Sequence, residues 1–284
     1  MIRVHAIHTG TAQIHKRQLA GEGRGTARVL RTLLDRRWAP PVPIRAWLIE
    51  HPEGLILVDT GESPRVGEPG YLPRWHPFIR FALRLRVRPE ETLGPRLAEL
   101  GVAPRDIRWV VLTHLHSDHA GGLADVAGSE IVVSETEYAV AKGRPGRLRG
   151  YLPQHWPAGF APRRVTLPDR PYGPFPRSLE LTEAGDVVLI DTAGHTPGHM
   201  SVIVEDGDGP RLCFAGDAAY TQEAMLQGRV DGIAPNDDQA LETFGRLQRL
   251  VAERPTVFLP THDHESAGRL ERREPSPTAM AVRR

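Results

Sequence analysis

Residues 113 to 122 read THLHSDHAGG, placing His114, His116, Asp118 and His119 within six consecutive positions and closing with two glycines. Neutral imidazole and carboxylate are the donor types that hold zinc. On an extended segment alternate residues point the same way, so His114 and His116 can share one ion, whereas Asp118 and His119 are offset from them. The offset suggests a second ion. Taken alone, the stretch also reads as a solvated polar loop, and the rest of the chain has to decide.

That chain has 284 residues, 40% of them hydrophobic, enough for a sizeable core, and is read as a single globular domain over 1–284. A net charge of +1 gives no whole-molecule attraction for nucleic acid or an anionic membrane, and neither is expected as a partner. The basic stretch KGRPGRLRG (142–150) is a local exception, read as a solvated loop. Cys213, the only cysteine, excludes an internal disulfide and reads as a small core residue in RLCFAG. The first twenty residues hold no continuous apolar region, and no run is long enough to span a bilayer, so the expected location is the cytoplasm.

Short apolar runs bounded by turn residues alternate with amphipathic segments, the pattern of sheets covered by helices. Strands are expected in RAWLIE, LILVDTG, IRWVVLTH, EIVVS, DVVLIDTAGH, MSVIVED, RLCFAGD and TVFLPTH. Helices are expected at 90–100, at 134–142 with Ser134 and Glu137 as a capping box, and at 237–253. Ligand-type residues follow the strands directly: His114 after WVVLT, His199 after VVLIDTAG and HTPG, Asp217 after LCFAG, and His262 after VFLPT. Strand ends hold loops rigidly against one another, which is where sites are built. His114, His116 and His199 then give one ion three nitrogens. Asp118, His119 and His262 give another a carboxylate and two nitrogens, with Asp217 bridging. Open coordination of this kind marks a catalytic, hydrolytic centre. His195 and His264 compete with His199 and His262 and are given places behind the ligands or on the surface. His5, His8, His15, His51, His76 and His155 carry no comparable context.

The motifs HLHSDH, GHTPGH, GD and TH, in that order, resemble the metallo-β-lactamase superfamily from about LILVDTG to THDH. The resemblance implies an α/β fold, the four-layer αββα metallo-β-lactamase sandwich, and a supporting role for Asp59. Within that superfamily, ILVDTG, THLHSDHAGG, SETEY, TAGHTPGHMS, GDAAYTQE and THDHES are most similar to the quorum-quenching N-acyl homoserine lactone lactonases. A tyrosine three residues after the bridging aspartate is a feature of that group, and Tyr220 holds the place; alone it would read as a packing residue. The resemblance implies two Zn2+ per chain, with Co, Mn or Fe as other divalent occupants, and a small-molecule lactone as substrate. It also implies Tyr220 as a hydrogen-bond donor to the developing oxyanion and Asp118 as carrier of a proton to the leaving alkoxide. An acyl groove is expected from 71–85 and 151–160, against ordinary packing or a homodimer interface as the other readings of these segments. Segments 62–92 and 143–180 are longer and richer in arginine and proline than expected of the group. Among alternatives, a thioesterase like glyoxalase II shares the ligands, but only 22 residues follow His262, too few for its glutathione-binding extension. A phosphodiesterase or nuclease is kept open by the basic loop. A metal-site remnant serving as a binding or sensing domain would have lost ligands, and none is missing.

Overall fold

The computed structural model describes residues 2–126 and 128–279. They form two compact units, one of Ile2–His15 with Asp35–Val165 and one of Lys16–Leu34 with the chain from Thr166 onward.

The first unit is built on a mixed sheet of β1 (Arg3–Ile14), β2 (Val42–His51), β3 (Gly54–Val58), β4 (Leu83–Arg86), β5 (Ile107–Val111), β6 (Glu130–Ser134) and β7 (Arg163–Val165), in the order β4-β1-β2-β3-β5-β6-β7. From β3 to β7 the neighbours run parallel. Near-continuous burial of VPIRAWLIEH in β2 agrees with a strand covered on both faces. One core forms from Leu48, Leu57, Val110 and Val133 with Leu93 and Leu97 of the helix Leu93–Glu99 and Tyr138 and Ala141 of the helix Glu135–Lys142. Parallel pairing decides where chemistry can sit. It brings the end of β3, followed by Asp59, beside the end of β5, followed by Thr113 and His114.

The second unit carries a sheet of β8 (Ser178–Glu180), β9 (Val187–Asp191), β10 (Met200–Val204), β11 (Arg211–Gly216) and β12 (Thr256–Pro260), in the order β12-β11-β10-β9-β8. The pair β11 and β12 is parallel and the rest antiparallel. The helix Asp237–Glu253 starts at Asn236, whose side chain accepts from the Asp238 and Gln239 N–H groups, and buries Ala240, Phe244, Leu247 and Val251. These apolar positions recur at helical spacing.

One strand was not read in the sequence, and one expectation needs correction. The N-terminal segment, which offered no apolar run, is the twelve-residue strand β1. A register shift between His8 and Gly10 breaks the alternation that would have revealed it. The capping box is only half formed: Ser134 caps the helix by accepting from the Glu137 N–H, but the Glu137 carboxylate is buried and bonds elsewhere.

Cys213 is fully buried in β11, and burial pushes its thiol up to about 12. The native protein is therefore expected to show no thiol to a disulfide reagent at about pH 8, and one after unfolding. Reaction at the native stage would mean that β11 opens.

Candidate metal centre

In the first unit the motif is held from behind. Asp59 takes a left-handed backbone, φ +59°, tolerable for aspartate, and its buried carboxylate collects three donors. These are the Thr113 N–H at 2.8 Å, the Thr113 hydroxyl at 2.9 Å and the His119 Nδ1–H at 2.8 Å. Because the Thr113 hydroxyl is spent on Asp59, its oxygen accepts from His114 Nδ1, 3.1 Å away. His116 Nε2 lies 3.1 Å from the Arg149 carbonyl oxygen, so that nitrogen carries the proton. The remaining lone pairs, His114 Nε2 and His116 Nδ1, then face each other at 3.0 Å. Two lone pairs at that distance repel unless a cation lies between or beside them. The same logic leaves His119 Nε2 as its ligating atom.

Asp118 lies in the one-turn helix Ser117–Ala120, with its carboxylate partly exposed and 4.0 Å from His119 Nε2. The two glycines of HAGG explain themselves here. A Cβ on Gly121 would stand 2.5 Å from the Ser63 nitrogen, and one on Gly122 would stand 2.4 Å from the Thr60 carbonyl oxygen. Only glycine lets this turn lie against residues 60–63.

Sequence patterning does not mark two buried carboxylates near the motif, Glu137 and Glu62, as part of the site. Glu137 Oε1 accepts from the Leu115 N–H at 3.0 Å and the Tyr151 hydroxyl at 2.8 Å, fixing the peptide between His114 and His116. Glu62 is pushed up to about 8, first by burial and further by the Asp118 charge, against the Ser117 and Ser63 hydrogen bonds that pull it down.

In the second unit the strand ends gather Asp217, His195, His199 and His262, all buried. His199 sits where antiparallel β10 begins beside the end of β11, and the Asp217 N–H donates to its Nε2 at 3.1 Å. His199 Nδ1 lies 2.8 Å from the Thr192 hydroxyl and carries the proton, since Nε2 accepts from the Asp217 N–H. The Asp217 carboxylate stands 3.4 Å from His262 Nε2 and 3.6 Å from His195 Nε2. The sequence reading left His195 behind the ligands or on the surface. Its burial excludes the surface, and its Nδ1 is held at 3.2 Å by Asp231. His264 is exposed, as expected.

Tyr220 is buried in the same cluster, its ring edge-on to those of His195 and His262 at 5.6 and 5.4 Å between centroids. Gln18 Nε2 donates to its hydroxyl oxygen at 3.0 Å. Gln18 lies 202 positions away in sequence, and nothing local could have singled it out.

The two segments expected to wall a groove do meet. Tyr71, Leu72, Trp75, Tyr151, Leu152 and His155 line one cavity of about 520 Å³ in the first unit. Tyr71 stacks on His155 at 3.8 Å between centroids, and Tyr151 lies 4.8 Å from the His116 ring. His155 and His76 thus have structural work, His76 through the Leu148 carbonyl. Trp156 and Phe160 pack instead with Tyr138 against the core.

The sequence profile of the metallo-beta-lactamase superfamily matches residues 39–262. An N-acyl homoserine lactonase of Bacillus sp is 30% identical over 226 residues, 79% of this chain and 82% of the relative. Among solved structures, an N-acyl homoserine lactone hydrolase with product N-hexanoyl-L-homoserine at its catalytic metal centre superposes with a TM-score of 0.73, at 23% identity over 93% of this chain and 94% of that one. A dizinc quorum-quenching lactonase gives 0.64, at 17% identity over 93% and 88%.

Proposed function

From the premise that the chain belongs to the metallo-beta-lactamase superfamily, whose α/β fold of two mixed sheets with helices it has, we propose that it is a dinuclear zinc hydrolase opening the lactone ring of N-acyl homoserine lactones or related lactones. His114, His116 and His199 would hold one ion and Asp118, His119 and His262 the other, with Asp217 common to both. The lone pairs of His114, His116 and His119 fit such ions, since each of these anchored imidazoles offers one defined nitrogen; His199 Nε2 would have to exchange the Asp217 N–H for its ion. Bound there, the ions would lower the pKa of a water and polarise the carbonyl.

What the chain itself adds is orientation and proton handling. Asp59 and Thr192 fix the tautomers of His119 and His199. Tyr220, its oxygen already accepting from Gln18, turns its proton to the carbonyl oxygen as negative charge develops there. Asp118, the most exposed of the carboxylates at the site, carries a proton to the ring oxygen as it leaves. Tyr71, Tyr151 and Leu152 offer an apolar wall for an acyl chain.

The observation that supports this reading most is the buried Tyr220, its ring edge-on to those of His195 and His262, in a chain 30% identical to a lactonase. A hydrolysis screen of the zinc-loaded protein should favour acyl homoserine lactones over aliphatic lactones, thioesters and phosphodiesters. Faster turnover of a thioester would move the protein to the glyoxalase II-like reading, and faster phosphodiester cleavage to the nuclease reading.

A further inference from the structure

Arginine–carboxylate pairs recur through this chain, and although among the described residues arginines such as Arg31, Arg86 and Arg249 also go without one, a single pair of adjoining segments gathers five that do. Arg163 and Arg164 reach Glu130 and Glu135, and similar pairs recur through both units. Between residues 69 and 89, and again between 138 and 168, the sequence contains no aspartate or glutamate. Among the described residues Arg74, Arg80, Arg144, Arg147 and Arg149 accordingly have no carboxylate partner. Arg74 and Arg147 line the same 520 Å³ cavity as Trp75, and the His76 ring nitrogen ties that segment to the Leu148 carbonyl.

Apolar side chains project from the same two segments. Trp75 is 57% exposed, Phe81 58% and Leu148 70%, with the Arg80 guanidinium 4.8 Å above the Phe81 ring. An isolated exposed leucine needs no explanation, but large exposed side chains set among unneutralised arginines on adjoining loops form a pattern. Either ingredient alone would suit several partners. A duplex nucleic acid uses the cations but gains nothing from a 70% exposed leucine, and an apolar protein groove gains nothing from the cations. A surface that is anionic outside and apolar a few ångströms below satisfies both.

We propose that the face formed by residues 74–81 and 144–149 docks on the surface of an anionic phospholipid bilayer, with the arginines at the headgroups and Trp75, Phe81 and Leu148 at the acyl boundary. The net charge of +1 does not oppose this, because the cation excess is local and acts within a Debye length. Arg74, Trp75 and Arg147 of the docked face line the cavity that Tyr151 also lines, and the Tyr151 ring lies 4.8 Å from that of His116. A lipophilic substrate would then enter from the bilayer. This last point rests on the lactone reading; the docking does not.

Vesicle sedimentation of the full chain, without substrate, separates the two. Vesicles of phosphatidylcholine containing a third of phosphatidylglycerol should take up the protein at about 0.1 M salt, and pure phosphatidylcholine much less. Arg74→Glu with Arg147→Glu should weaken uptake at least about tenfold, and Trp75→Ser with Leu148→Ser about tenfold, with circular dichroism and thermal unfolding unchanged. Absence of uptake, equal uptake by both vesicle types, or variants that bind like the parent would each overturn the proposal. So would binding to duplex DNA without vesicle uptake, or a dimer that the Trp75 and Leu148 changes convert to a monomer. Failure here leaves lactone turnover untouched, and failure of the lactone screen leaves vesicle uptake untouched.

Discussion

Asp217→Asn is expected to lower lactone hydrolysis by more than about a hundredfold and to lose close to one equivalent of metal, because a residue that merely supports a ligand typically costs 10–100-fold and this one is assigned to both ions. The buried carboxylate of Asp217 stands 3.4 and 3.6 Å from the His262 and His195 nitrogens. Asparagine keeps the shape and removes the charge that, on the proposed reading, would let those imidazoles and two cations share one pocket. Asp191→Asn is the matched control: its carboxylate ends β9 but pairs with Arg177 and the Ala193 N–H. Elemental analysis of both variants, alongside the parent at close to two equivalents, checks the assignment. Full metal content and full activity in Asp217→Asn would remove the bridging role.

Tyr220→Phe should cost about tenfold to a hundredfold, mainly in kcat, with metal content unchanged. One hydroxyl is deleted from a buried ring, and the hydrogen bond it supplies strengthens only as charge develops on the carbonyl oxygen. The variant also strips Gln18 of its acceptor, which should lower thermal stability by about 1–3 kcal/mol. Gln18→Leu distinguishes the two effects, since it removes the anchor and leaves the hydroxyl. Wild-type turnover in Tyr220→Phe would reduce that residue to packing; loss of zinc would make it structural.

The ligand-type residues were legible because each follows an apolar run, and an apolar run of that length between turn residues is a strand whether or not its neighbours are known. The places of His114, Asp217 and His262 at strand ends needed nothing more than that, whereas between His195 and His199 the run does not choose. Asp59 was visible only as a strand end, and its left-handed backbone and its three donors could not be inferred from DTG. Glu137 misled because its spacing from Ser134 fits a capping box, yet a buried carboxylate goes to whichever donors the fold presents, here Leu115 and Tyr151. Strand β1 was hidden by its bulge, and His195 by its competition with His199 within GHTPGH. Gln18 illustrates the general limit. Hydrogen bonds across two hundred residues leave no periodicity to read.

The segment Lys16–Leu34 belongs with the unit that the second half of the chain completes. Its anchors are distant: the Gly21 N–H bonds the Val230 carbonyl, and Arg28 bonds Asp237 and the Ala234 carbonyl. On the ribosome, none of these partners exists until most of the chain has emerged, whereas the sheet from β1 to β7 needs nothing beyond Val165. Synthesis therefore imposes an order, with the THLHSDH half assembled early and a loop left waiting inside it for the half that carries Tyr220.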